Sequence, residues 1–93
     1  MKPIILKQIT DQTRARSVFL ELSKIVLDNG FVEYWLTESY PESDMVEVNL
    51  SGIVHSRKEA VKAFYDSYKE AIEDGLIEEK EIIIYRFQKD LNN

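Results

Sequence analysis

Apolar residues change their spacing from one stretch of the chain to the next, and each change marks a predicted element. Residues 4–9 are short and β-branched, which predicts a strand. Thr10 or Asp11 can then cap a helix whose stripe is Ala15, Val18, Phe19, Leu22, Ile25 and Val26, ended by Asn29 and Gly30. Residues 31–40 are rich in aromatic and β-branched side chains, and Pro41 to Asp44 read as a turn. In residues 45–54, Val46, Val48 and Leu50 alternate with Glu47, Asn49 and Ser51, the period of a half-buried strand, so 31–54 predict a hairpin. Ser56 and Glu59 have the spacing of a capping box. The helix they open carries Val61, Phe64, Tyr65, Tyr68 and Ile72 and stops at Gly75. Residues 81–88 predict a last strand, followed by a polar tail at 90–93.

That order, β-α-β-β-α-β, predicts an α+β fold of the ferredoxin-like kind, with two helices on one face of a four-stranded antiparallel sheet and strands one and three central. The 93 residues (10.9 kDa) suit a single domain over 1–93. On such a sheet Val32, Tyr34 and Leu36 face the helices, as do Ile83, Tyr85 and Phe87. Trp35, Ile53, Ile82 and Ile84 are then left outward as an apolar contact face, which a second copy would cover in a homodimer.

Charge adds a second surface. The chain has 12 Lys+Arg against 17 Asp+Glu, a net −5, with a pI near 4.8. Glu33, Glu38, Glu42, Asp44 and Glu47 lie within 31–54, where there is no Lys or Arg, so the hairpin carries an excess equal to that net charge. An acidic hairpin beside Trp35 suits a basic protein partner met through Glu33, Trp35, Glu42, Asp44 and Glu47. Direct nucleic-acid binding is not expected, because a phosphate backbone calls for a basic footprint. A separate alternative is an acidic mimic of nucleic acid that blocks a DNA- or RNA-binding protein, which needs acids at phosphate-like spacing. No apolar run approaches the roughly 20 residues of a membrane span, and the start at Met1–Lys7 lacks a signal-peptide core, so a cytoplasmic location is expected.

Candidate chemistry is sparse. The chain has no cysteine, which excludes disulfides, thiolate catalysis and Cys-held metals. An RNA-recognition domain would carry aromatics on its third strand, where Met45–Ser51 has none. A calcium loop set on Gly75 puts Ile72 at a ligand position, and no Gly-rich phosphate loop or serine elbow occurs. His55 is the only histidine; just before a helix it could serve as a neutral acid–base group. Neither a metal nor a cofactor is expected.

Gly30, Tyr34, Leu36, Pro41 and the Ser56–Glu59–Ala60 group resemble the middle of the dimeric α+β-barrel, antibiotic-biosynthesis-monooxygenase-like proteins, over about a third of the chain. The resemblance implies a ferredoxin-like dimer, and in some members oxidation of quinols or haem without a conventional cofactor. Val54 stands where that pattern often has tryptophan, and the second helix has no histidine. If the chain is an enzyme or small-ligand binder, His55, Asn49 and Trp35 are the residues expected at its pocket. The leading expectation is a small acidic regulator, inhibitor or immunity-type factor that acts by protein contact without catalysis.

Overall fold

Four strands follow one another and then two helices. In a computed structural model, residues 2–14, 16–41 and 43–92 are described. Strands β1 (Ile4–Arg14), β2 (Arg16–Val26), β3 (Val32–Ser39) and β4 (Val46–Asn49) precede helices α1 (Arg57–Glu73) and α2 (Glu81–Leu91). The strands form one antiparallel meander in the order β1-β2-β3-β4. The fold is therefore α+β with a four-stranded antiparallel sheet and two helices, as expected. The ferredoxin-like order is not the one observed: β2 and β3 are central, and no helix lies between strands.

Two segments account for the difference. Of residues 10–29, expected as a helix, 10–14 complete β1 and 16–26 form β2, while Ala15 of the expected stripe lies outside the described residues. Leu20 decides between the two spacings. The helical stripe has no place for it, whereas alternation sets Val18, Leu20 and Leu22 on one face, where Leu20 and Leu22 are 0% exposed. Fully burying each leucine contributes about 1.5–3 kcal/mol, more than helix propensity supplies. Asn29 and Gly30 close the β2–β3 turn instead of a helix. Gly30 has φ 88°, and the Asn29 Oδ1 accepts from the Phe31 amide at 3.0 Å.

The second segment, 81–88, is helical rather than extended. Ile83, Ile84, Phe87 and Leu91 recur at helical spacing and pack on the core, while Ile82 and Tyr85 are exposed. Packing of that stripe overrides the β preference of three consecutive isoleucines. Asp90 and Leu91, expected in a polar tail, belong to α2; Asn93 lies outside the described residues.

The other expected elements agree in kind, but the strand expected over 45–54 is only Val46–Asn49, with Val46 and Val48 exposed rather than on a buried face. The β3–β4 hairpin forms, and Ser56 caps α1 by accepting from the Glu59 amide at 3.1 Å. The Glu59 carboxylate reaches back to the His55 amide at 3.1 Å rather than to that of Ser56. At the far end, the Leu76 amide donates to the Ala71 carbonyl and that of Gly75 (φ 72°) to Ile72, so the helix stops at this glycine.

The core lies between one sheet face and the helices. Val18, Leu20, Leu22 and Leu36 meet Val61, Phe64 and Tyr68 of α1, and Phe87 of α2 stacks on Tyr65 with ring centroids 4.9 Å apart. The α1–α2 loop is tied down from two sides. Its Glu78 amide donates to the buried Asp11 carboxylate at 3.0 Å, and its Lys80 amide donates to the Tyr68 hydroxyl at 3.2 Å. Burial raises the Tyr68 pKa, against which the Lys80 bond works. Asp90 joins β1 to both helices, 2.8 Å from the Lys7 ammonium and 3.1 Å from the Arg57 guanidinium. These hydrogen bonds, first to Lys7 and then to Arg57, hold its carboxyl below the ordinary 3.8.

Candidate functional site

The helices cover one face of the sheet and leave the other open. Register defines that open face, because directly paired residues of antiparallel strands share a side. One row runs Ile5, Ser23, Trp35, Asn49; the next runs Gln8, Glu21, Thr37, Glu47; Ile25 pairs with Glu33 beyond the first. β2 and β3 place most of these groups because their opposite sides are fixed in the core by Leu20, Leu22 and Leu36. A one-residue slip would bury Glu21 and Trp35 in place of leucines.

The centre of the face is a shallow depression of about 200 Å³ lined by Ser23, Trp35 and Thr37, with Glu21 and Glu47 at its border. Ser23 and Thr37 are buried, and Trp35 is half-buried. The Trp35 indole N–H is shut off from solvent and has no acceptor among the described residues. Glu33 accepts from the Asn49 side-chain amide at 3.0 Å, and Glu21 accepts from Gln8 at 3.0 Å. Glu21, Glu33 and Glu47 have no Lys or Arg among them on this face, counting the strand side chains that are described.

A second hollow, about 550 Å³, opens at the end of the sheet between the β2–β3 turn and the β4–α1 connection. Phe31, Glu33, Tyr34, Ser51 and His55 line it. The Ser51 hydroxyl is buried without a partner among the described residues, while its amide donates to the Asn49 Oδ1 at 2.9 Å. Asn49, the register partner of Trp35, thus bonds to two residues of the end hollow, Glu33 and Ser51.

The expected site residues divide accordingly. Glu33, Trp35, Glu47 and Asn49 come together on the open face. Asp44 is exposed in the β3–β4 connection, and Glu42 lies outside the described residues. His55 is exposed at the end hollow, a separate place from Trp35. The expected apolar contact face is not assembled. Ile53 stands in the β4–α1 connection at 71% exposure, Ile82 is 54% exposed, and Ile84 packs on the core from α2, on the helix side of the sheet opposite Trp35. Their separation follows from α2 being a helix. Glu21, Ser23 and Ile25 were not expected at a site because their segment was read as helical. The alternation of Val18, Leu20 and Leu22 with Phe19, Glu21 and Ser23 is the signal that places them.

Among the described residues no group of three or more His, Asp or Glu side chains is placed to hold a metal ion, and no helix is long and apolar enough to cross a membrane. Comparison with protein-family models, curated proteins and solved structures finds no match to the chain.

Proposed function

We propose that the protein acts by contact with another protein, seating a basic surface of its partner on the open face of the sheet around Trp35. The observation that supports this most is the half-buried indole in a depression bordered by unneutralised carboxylates. An aromatic anchor in a shallow hollow is the kind of group on which binding energy concentrates, and the surrounding acids give steering and selection. The orphaned indole N–H, closed off from solvent, costs about 1–3 kcal/mol while it lacks an acceptor.

The same charges argue for a different chain as partner rather than a second copy. Two such faces laid together would set Glu21, Glu33 and Glu47 against their own kind, which works against a sheet-to-sheet dimer. A regulator or inhibitor of a basic protein, including one that binds nucleic acid, fits this face. A cytoplasmic setting remains part of the proposal.

Affinity capture with wild-type bait and with Trp35→Ala and Glu33→Lys/Glu47→Lys baits tests the reading, with direct titration of the captured protein to follow. A basic protein held by the wild type and lost by both variants is expected. Equal capture by all three baits would remove the open face from the function.

A second reading, a small-ligand site or enzyme at the end hollow, is favoured by the buried, unpartnered Ser51 hydroxyl beside His55. Thermal stabilisation by an aromatic ligand that disappears in His55→Ala and persists in Trp35→Ala would support it over the first.

A further inference from the structure

We propose that the groove between β1 and α2 takes an extended acidic peptide segment, which adds to the free edge of β1 and sets a carboxylate against Arg86. This site is separate from the open face and does not depend on it.

β1 is an outer strand, with β2 on one side and no strand on the other. Edge strands present unpaired backbone groups and are commonly guarded by bulges, proline or charge. Here the irregularities fall at the two ends, with register shifts between Ile5 and Lys7 and between Asp11 and Arg14. Between them, Lys7 to Asp11 pair regularly with Leu22 to Val18. This leaves an ordered stretch of edge backbone without a bulge or proline, whose two charged residues, Lys7 and Asp11, belong to the helix side of the sheet.

α2 does not close that edge. A cavity of about 390 Å³ separates them, within the range of about 300–1,000 Å³ usual for ligand sites. It is lined by five consecutive strand residues, Leu6 to Thr10, and by Ile83, Arg86 and Phe87 of α2. Lys7 and Ile9 belong to the helix side of the sheet, and Gln8 and Thr10 to the open side. One cavity that touches both sets lies along the rim of the strand, where a ligand meets main chain. Backbone pairing along an edge, with alternate side chains entering a neighbouring groove, is an established mode of peptide recognition.

Charge selects the occupant. The groove is lined by Lys7 and Arg86 and by no acid, in a chain of net −5. Lys7 is held by Asp90, whereas Arg86 is exposed and has no ion-pair partner among the described residues. An added strand sends alternate side chains toward α2, so a carboxylate at one of those positions reaches the Arg86 guanidinium. A second copy pairing through the same edge would bring another Lys7 and Arg86 into the groove and is disfavoured by repulsion.

The test uses two end-blocked heptapeptides, one alternating Thr with Glu and the other Thr with Lys, titrated into the labelled protein and followed by amide chemical shifts. The Glu peptide is expected to shift the amides of Leu6 to Thr10, and the Lys peptide to leave them unmoved. In Arg86→Glu the preference should reverse, with the Glu peptide weakened about tenfold, the equivalent of one charge-assisted contact. Arg86 is exposed, so this variant keeps the fold, and its own amide spectrum verifies that. No response at Leu6–Thr10, or equal affinity for the two peptides, overturns the proposal. Loss of the open-face contact in Trp35→Ala would leave the groove result unchanged, so the two readings fail separately.

Discussion

The two faces of β2 and β3 are made from neighbouring residues of the same strands and have opposite characters. On the helix side, Leu20, Leu22 and Leu36 are buried against Phe64 and Tyr68. On the other side, one residue away in each case, Glu21, Ser23, Trp35 and Thr37 form a shallow, acidic hollow. Two residues of that second face, Ser23 and Thr37, are as hidden as many core positions although no helix covers them. Both border Trp35, Ser23 as its direct register partner and Thr37 in the next row. The difference shows how one strand register divides labour, with one parity holding the molecule together and the other left open at the surface.

Substitutions separate the two parities. Phe64→Ala should remove about 3–5 kcal/mol of unfolding free energy, measured by urea denaturation, whereas Trp35→Ala should remove only about 1 kcal/mol. A reversal of that ranking would mean that the open face is a second core. Between these lies Asp11, a polar group on the helix side. Asp11→Ala leaves the Glu78 amide without its acceptor and should cost about 1–3 kcal/mol, with faster amide exchange in the α1–α2 loop.

Acid examines the helix side again. The Asp90 carboxyl is depressed in the folded state by Lys7 and Arg57, so its contribution is complete above the ordinary 3.8 and is lost as pH falls through the lower folded value. Asp90→Asn should cost about 1 kcal/mol at neutral pH and remove that part of the acid dependence, as followed by urea midpoints between neutral pH and about pH 3. Alkali does the reverse at Tyr40. Burial, then Glu38, Glu70 and Asp74, push its pKa up to about 12 from 10.0, so its share of stability holds below 10.0 and fades as pH rises toward 12. Tyr40→Phe should remove the Tyr40 share of the late phase of a spectrophotometric tyrosinate titration, leaving that of Tyr68, which burial also raises. The smallest effect on folding is expected from Glu33→Gln/Glu47→Gln, within about 0.5 kcal/mol, although these are the charges on which partner binding is proposed to depend.

What could be read in the sequence follows how many signals agreed at each element. The 31–54 hairpin has alternation, a Pro-containing turn and strand-forming residues all pointing one way, and α1 has a capping residue, an apolar stripe and a terminating glycine. Residues 10–29 offered both spacings at once. Thr10 and Asp11 look like caps and Asn29–Gly30 like a helix end, and only Leu20 and Leu27 fall off the helical stripe. Residues 81–91 misled in the opposite direction, because three adjacent isoleucines favour a strand while the helical partner Leu91 lies beyond the apparent end. That Glu33, Trp35, Glu47 and Asn49 share one face was legible because they sit on the well-determined hairpin. Glu21 and Ser23 were not, since their position depends on a strand that only tertiary packing selects.

The run of four strands followed by two helices also sets a timetable for synthesis. Chains emerge from the ribosome N-terminus first, so the whole meander is exposed before either helix exists to shelter it. Neighbouring hairpins can pair early, since their partners are close along the chain. Leu20, Leu22 and Leu36 then face water until residues 57–91 follow, and Phe87, which meets three aromatic rings of α1, is among the last to arrive. A nascent chain halted before α2 would present a sheet with an unshielded leucine surface, a form that chaperones hold and proteases clear.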